Sequence, residues 1–526
     1  MTSQNKSHLL RSTAKVGIAT SVSRIFGYFR DSSLAWVLGA GFSMDSFTVA
    51  FRLANLFRRL VAEGAMNAAF VPVFMSYRVN GKDDELWDYA RSFFYTVLIV
   101  STSIVILEIL FAPTLVRFMA PGFASNPAKF KLTVTLTQVM APYLICVSIA
   151  ALFMGALNSL DQFVTPALGP IFFNLAIILS VTSFGRWLPT NAAMSAACGV
   201  LLGGFLQFAI QIPEMKAKGM DFSFRFSLKH PAVLKTAKLL APGLLGMGVV
   251  QISLFVDSLM ASFLKEGCVS YLYYADRVVE LVLGIFVISF ATVVLPDMAK
   301  AAQARAIQEV KSTLLFSYRM TMLVAIPATV GLCVFARPIV HVLFERGKFG
   351  PIDTNETAVA LACYGLGLFF VSALRITTSA FYATEDTKTP VQIGALMLLL
   401  NVVLNALLMF PFKQGGIALA TSIASGVGFY LHLRTFQKRY GMLEWELLKS
   451  SFVKISLASL AMGVMCPHLL NWVGFNRYLP IMWKTLALFA AISGGLFTYL
   501  LVLLLLKADD LNLIRYFQLW SRRNKS

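Results

Sequence analysis

The chain has 526 residues, 57% of them hydrophobic and only 13% charged, with a formal net charge of +19. A soluble domain carries about 25% charged residues, and no soluble core absorbs apolar runs this numerous, so a polytopic membrane protein is the class that remains. The positive charge is not gathered in one basic arm or domain, which removes nucleic-acid binding and leaves topology control in short loops.

Met1 to Lys15 is polar and basic and lacks a short apolar region followed by a small-residue cleavage site, so no cleaved signal peptide is expected. Fourteen spanning helices are expected, at roughly 14–37, 43–61, 88–116, 132–157, 162–185, 191–213, 233–264, 270–296, 312–336, 356–383, 389–411, 415–437, 450–471 and 480–507. The fold class is therefore all-α. The stretch from Arg337 to Pro351 is too charged to span and reads as an amphipathic piece at the outer surface. No interval is long enough for a separate soluble domain.

The first run holds Ser23-Arg24-Ile25-Phe26-Gly27-Tyr28-Phe29-Arg30-Asp31. A guanidinium at membrane depth costs at least a few kcal/mol, so it needs a wet cavity, a partner or an anionic ligand. Arg24 and Arg30 are six residues apart and do not share a face of an ideal helix; a bend at Gly27 would turn both inward. Asp31 and Asp45 are candidate partners for these arginines when no ligand is bound.

In the second run Arg52, Asn55, Arg59 and Glu63 fall on one helical stripe, and Arg59 and Glu63 can pair at i,i+4. Arg58 and Arg59 can equally mark a cytoplasmic helix end, a reading unavailable to the deeper Arg52. Arg277, following Asp276 and preceding Glu280, and Arg375 continue the theme in the eighth and tenth runs. Arginine suits phosphate because its planar fork binds oxygens in pairs and stays charged.

Asp257 lies in the apolar seventh run with no basic residue within a turn, while Asn401 and Asn405 share a face of the eleventh and Thr421 lies in the twelfth. They can offer hard oxygen ligands to a small cation, Asp257 can carry a proton, or all can serve helix–helix hydrogen bonding.

The six cysteines are scattered without a CxxC pair and the five histidines are dispersed, so neither suggests a metal centre. There is no G-x-x-x-x-G-K-[ST] loop and no carboxylate pair beside a histidine, which speaks against ATP hydrolysis and catalysis.

Basic residues at both ends, between the sixth and seventh runs (Lys216 to Lys238) and in the other even-numbered loops outnumber those in the odd-numbered loops, which places both termini in the cytoplasm. The first twelve runs also repeat at an offset of about 224 residues: Ala50-Phe51-Arg52 lines up with Ala275-Asp276-Arg277, Pro72 with Pro296, Thr165-Pro166 with Thr389-Pro390, and Asp31 falls near Asp257. Six helices per unit makes this a parallel repeat, an arrangement found in transporters that alternate access.

The opening motif, then Asp45-Ser46-Phe47, Asn55-Leu56-Phe57-Arg58-Arg59 with Glu63-Gly64-Ala65, Ala69-Phe70-Val71-Pro72, Tyr274-Ala275-Asp276-Arg277 and Asp386-Thr387-Lys388-Thr389-Pro390, resembles the MurJ (MviN) family of bacterial lipid II flippases. Ala54 departs from the proline the family often has there. The resemblance implies the multidrug/oligosaccharidyl-lipid/polysaccharide exporter fold, with lobes over 1–222 and 223–445, a terminal helix pair over 446–526 that helps form a lipid-accessible groove, and a central cavity.

It further implies that lipid II, an undecaprenyl-pyrophosphate disaccharide pentapeptide, is moved from the inner to the outer leaflet of the bacterial cytoplasmic membrane without enzymatic chemistry or cofactor. Arg24, Arg30, Arg59 and Arg277 are then implicated in binding or gating, supported by Ser23, Asp31, Asp45 and Glu63. Asp257, Asn401, Asn405, Ile417 and Thr421 match a family sodium site, so Na⁺ is an expected coupling ion. Cell-wall synthesis and division proteins are expected partners beside membrane lipids. The alternatives are a sibling exporter of drugs or other polyprenyl-linked glycans, and a membrane-bound cell-wall glycosyltransferase or scaffold.

Overall fold

The computed structural model describes residues 3–58, 66–184, 192–227, 230–508 and 510, and no strand occurs among them. The fourteen expected runs are largely helical where they are described, those over 88–116 and 132–157 being divided by turns at Phe111 and at Ala141–Pro142. Among the described residues nine helices are long and apolar enough to cross a membrane, and one of these, over Lys388–Tyr440, contains two expected spans. The chain divides into two compact units, Met1–Ser270 with Arg346–Phe349, and Tyr271–Glu345 with Gly350–Ser526.

The first unit contains α1 (Ser3–Leu38), α2 (Phe42–Arg58), α3 (Met66–Val79), α4 (Asp83–Leu110), α5 (Ala112–Met119), α6 (Pro127–Met140), α7 (Tyr143–Ser159), α8 (Val164–Leu179), α9 (Ala192–Ala209), α10 (Ile212–Ala217) and α11 (Pro231–Ser262). Proline opens α6 and α11, where its missing N–H is one the helix would leave unbonded anyway. The Asn126 side chain caps α6 by accepting from Lys129 N at 3.2 Å. Small residues on α9 let neighbouring backbones approach, as membrane helices require where lipid supplies no hydrophobic drive. A Cβ on Gly203 would lie 2.9 Å from Phe173 of α8. Lys348 N donates to Trp36 O at 3.0 Å, holding the short segment 346–349 against the end of α1.

The second unit contains most of α12 (Cys268–Gln303), then α13 (Ile307–Val334), α14 (Ala336–Phe344), α15 (Pro351–Ala383), α16 (Lys388–Tyr440), α17 (Trp445–Trp472) and α18 (Ile481–Leu505). Its core gathers Tyr318, Phe381, Phe436, Ile455 and Tyr499. The terminal pair α17–α18 is fastened at two levels. Arg319 of α13 donates to Asp510 Oδ1 at 2.8 Å and to Ser451 Oγ at 3.0 Å, and Tyr499 donates to Leu323 O at 2.8 Å. Toward the other end Arg477 grips Glu345 Oε1 through Nε and Nη2, at 2.9 and 2.5 Å. Phe489, Phe497 and Leu504 of α18 stay exposed, the surface a bilayer covers.

α14 is the amphipathic piece expected after Arg337, with Val340, His341, Val342 and Phe344 buried. α16 is a hairpin: its two arms meet at Lys413 (φ 51, ψ −133), and Gly416 backs against the Leu408 carbonyl. α3, around Pro72, was not among the expected spans.

The repeat recurs in the element boundaries. α4 begins at Asp83 and α13 at Ile307, α5 at Ala112 and α14 at Ala336, α6 at Pro127 and α15 at Pro351, each 224 residues on. The caps between them match as well, Phe111 at φ −95, ψ 9 and Phe335 at φ −94, ψ 10.

Candidate functional site

In the first unit α1 runs as one continuous helix through Gly27. Asn174 of α8 packs beside it, its amide nitrogen 3.7 Å from where a Cβ at position 27 would stand, an ordinary van der Waals distance. Asn174, 5% exposed, donates to Ser23 O at 3.2 Å and accepts from Arg30 Nη1 at 3.0 Å. Arg30 completes its fork on Asp31 Oδ1 through Nε and Nη2, at 2.9 and 2.8 Å. A guanidinium with an acid and an amide on fixed sides is held as a charge of set direction.

Arg24, by contrast, is exposed and has no polar partner among the described residues. Arg24 and Arg30 therefore differ in kind, one open to a ligand and one anchored.

On α2, Arg52 donates to Ser258 Oγ of α11, the residue after Asp257, which is 4% exposed. Arg58 Nε donates to Asn55 Oδ1 at 2.9 Å. Arg59 and Glu63 lie outside the described residues.

Asp45 is not a partner of the arginines. It is 1% exposed, pairs with Lys129 Nζ at 2.7 Å, and accepts from Gly267 N at 2.8 Å, Ser270 N at 2.9 Å and Ser270 Oγ at 2.5 Å. A carboxylate against first-turn amides satisfies donors that a helix start leaves open. The Lys129 amine also sits 4.3 Å from the Phe123 ring centroid.

Glu108 of α4 is another buried acid: it is 3% exposed, and neither carboxyl oxygen has a hydrogen-bond partner among the described residues. An ionised carboxyl so placed would be costly.

In the second unit Arg277 Nη1 donates to Glu280 Oε2 at 2.7 Å, Asp276 lies 3.9 Å from Nη2, and the guanidinium stands 5.1 Å from the Tyr273 ring centroid. Arg375 of α15 is exposed, and Glu280 and Asp276 act on it electrostatically. Two arginines and two acids thus share one region, with net charge near zero and guanidinium faces partly accessible.

Asn401, Asn405, Ile417 and Thr421 come together across the arms of α16. Asn405 donates to Asn401 Oδ1 and Asn401 to Thr421 Oγ1, both at 3.1 Å, and Thr421 to Ile417 O at 3.2 Å. Amide, hydroxyl and carbonyl oxygens are the donor set a small hard cation takes. Asp257 belongs to the first unit. No group of three or more His, Cys, Asp or Glu side chains suited to a metal occurs among the described residues.

This arrangement has relatives. The profile of the family described as lipid II flippase MurJ matches residues 34–482. The chain belongs to that family. The probable lipid II flippase MurJ of Rhizobium meliloti (strain 1021) is 35% identical over 522 residues, 96% of each chain. That of Vibrio cholerae serotype O1 is 33% identical over 512 residues, 95% of this chain and 96% of its own. A solved lipid II flippase MurJ in an inward closed conformation superposes with a TM-score of 0.75 at 28% identity, covering 93% of this chain and 97% of that one. An inward-facing multidrug resistance MATE family transporter of the MOP superfamily shares the fold, with a TM-score of 0.68 at 13% identity. The MurJ-family chain is an all-α, multi-pass membrane protein.

Asn174, Lys129, Ser258 and Glu108 escaped the sequence reading. Asn174 is one amide in an apolar helix, Lys129 sits at a helix start that reads as loop, and Ser258 is indistinguishable from a packing residue. Glu108 carried a signal, since a lone acid near the end of an apolar run is costly, and it is the one that sequence reasoning could have found.

Proposed function

We propose that this chain flips lipid II from the inner to the outer leaflet of the bacterial cytoplasmic membrane, with both termini in the cytoplasm. It is a transporter: no bond in the substrate is made or broken. The observation that carries this reading is the pair of guanidiniums on α1 in a MurJ-family chain, Arg30 set in place by Asp31 and Asn174 and Arg24 open.

A diphosphate cannot enter hydrocarbon, because stripping its water is prohibitive. Arginine forks replace that water with charge-assisted hydrogen bonds, while the polyprenyl tail stays in lipid. Arg24 takes the phosphate first, having no partner to release. Arg277 and Arg375 carry matching acids, Asp276 and Glu280, which take the guanidiniums back as the anion leaves. Access then alternates between the two sides, in the manner of transporters with parallel repeats. Each charge moved across the membrane couples to its potential at about 2.3 kcal/mol per 100 mV.

A small cation such as Na⁺ would be held in the second unit by Asn401, Asn405, Thr421 and the Ile417 carbonyl. Its binding would compete with their mutual hydrogen bonds, so occupancy would read out as a change in the α16 hairpin. Cell-wall synthesis proteins that consume the outward-delivered lipid are the partners this direction of transport calls for.

The test is translocation of lipid II by the purified chain in vesicles, scored by access of an external reagent to the headgroup. Arg24→Ala and Arg277→Ala are each expected to lose at least about tenfold in rate, as loss of one charge-assisted contact implies. Normal rates in correctly inserted variants would overturn the assignment. Preference for drugs or other polyprenyl glycans over lipid II would point to a sibling exporter.

A further inference from the structure

α4 carries its last cation at Arg91, and no further charge appears until Glu108. Tyr95, one turn beyond Arg91, therefore stands where the helix passes from polar to apolar surroundings. The extended segment Met220–Ser227 lies along this boundary in the same unit. Tyr95 donates to Phe222 O at 2.7 Å, and Arg91 Nη1 holds both oxygens of Asp221 at 2.6 Å and Ser223 Oγ at 3.2 Å. Arg225 pairs with Asp88 at 2.5 Å. The hydrogen bond from Arg91, then those from Ser223, hold the Asp221 carboxyl below its ordinary range. The strap is thus pinned to α4 by its acids and its backbone.

Its aromatic residues divide. Phe222 turns edge-on to Phe94 and Phe153, at 5.7 and 6.1 Å between ring centroids. Phe224 touches Tyr95 at 4.9 Å yet is 75% exposed, and Phe226 is 38% exposed. Leu234 and Leu239 of α11 are exposed as well, as are Lys216, Lys218, Lys235 and Lys238 on or next to the helices that flank the strap in sequence, and Lys216 Nζ lies 5.7 Å from the Phe222 ring centroid. Asp88 and Asp221 are already engaged by Arg91 and Arg225, and from Glu214 to Lys238 the sequence holds six basic residues against two acids, a net positive charge.

Aromatic rings level with the polar-to-apolar boundary, in a stretch rich in basic residues, fit an interface whose headgroups are negative. We propose that this strap is a docking surface for anionic phospholipid: Phe224 and Phe226 enter the headgroup–hydrocarbon boundary and the four lysines take the phosphates.

The test uses the full chain carrying Phe226→Trp, reconstituted in vesicles with brominated-chain phosphatidylglycerol or, at equal mole fraction, brominated-chain phosphatidylcholine. The emission of the added tryptophan is taken as the difference from the unsubstituted chain. Quenching by the anionic lipid is expected to exceed that by the zwitterionic lipid by about twofold or more, and to fall to parity when the four lysines are changed to glutamine. Phe224→Trp is a second reporter should the first variant fail to fold. Equal quenching by both lipids overturns the electrostatic part of the proposal, and no quenching by either overturns the docking, leaving a strap that faces water or protein. The measurement reads lipid contact alone, so its outcome is independent of lipid II translocation.

Discussion

The joint between α2 and α6 and the joint between α12 and α15 occupy equivalent places in the repeat but are built from different chemistry. In the first, Asp45 meets Lys129 as a buried ion pair at 2.7 Å. In the second, Tyr271, 226 positions after Asp45, donates to Asp353, 224 positions after Lys129, at 3.0 Å. Asp353 also accepts from Gly350 N at 2.9 Å. The acid has moved to the other partner. Geometry was retained while charge was redistributed, so a duplicated scaffold fixes where a polar contact must be and not which side carries it.

The comparison makes its largest demand at Asp45. Removing one partner of a buried pair leaves the other charge uncompensated, so Asp45→Ala is expected to destabilise by about 3–5 kcal/mol in thermal unfolding. Adding Lys129→Met should recover most of that loss. If the double variant is as unstable as the single, the joint depends on shape and not on charge.

Tyr271→Phe removes one hydrogen bond from a carboxylate that keeps its backbone donor, and about 1–2 kcal/mol is expected. A loss as large as that of Asp45→Ala would erase the distinction between the joints.

Smaller still is Glu345→Gln, expected at about 1 kcal/mol because Arg477 is partly solvated. Burial alone would push the Glu345 carboxyl up, but hydrogen bonds from His341, Thr354 and Arg477 hold it below its ordinary value of 4.5. A depressed carboxylate stabilises the fold above its unfolded value and loses that contribution as pH falls through the folded one. The gap between wild type and variant should therefore be constant from about pH 8 to 5.5 and close only below about pH 4.

The smallest effect concerns two turns. Gly81 (φ 66) and Arg305 (φ 55) are 224 positions apart and share the left-handed conformation. Arg305→Gly should stabilise by up to about 1 kcal/mol, and Gly81→Ala should cost about the same, in paired unfolding measurements.

These pairs show what could be read from the residues. Apolar length was enough to find an all-helical membrane fold, because hydrocarbon leaves a chain little choice but helices. Shared residues at a common spacing disclosed the repeat, though not that its caps and turns match as closely as its helices. The α1 motif was legible because arginine in an apolar run needs a cause. Its wiring was not: Arg30 depends on Asn174, 144 positions away, and Asp45 on Lys129, 84 away. A single amide or a lysine at a helix start carries no mark of its distant partner, and Asp45 beside an arginine-rich run invited the wrong one.

The reversal at Lys413 bears on how Asn401 meets Thr421. With the second arm of α16 starting directly after that residue, there is no slack to absorb a change in length. One inserted residue would turn the second arm by about 100° about its own axis, carrying Thr421 and the Ile417 carbonyl away from both asparagines. The cation-ready oxygens are thus phased by a turn that contributes none of them, and a one-residue insertion there would dismantle the group without replacing any of its residues.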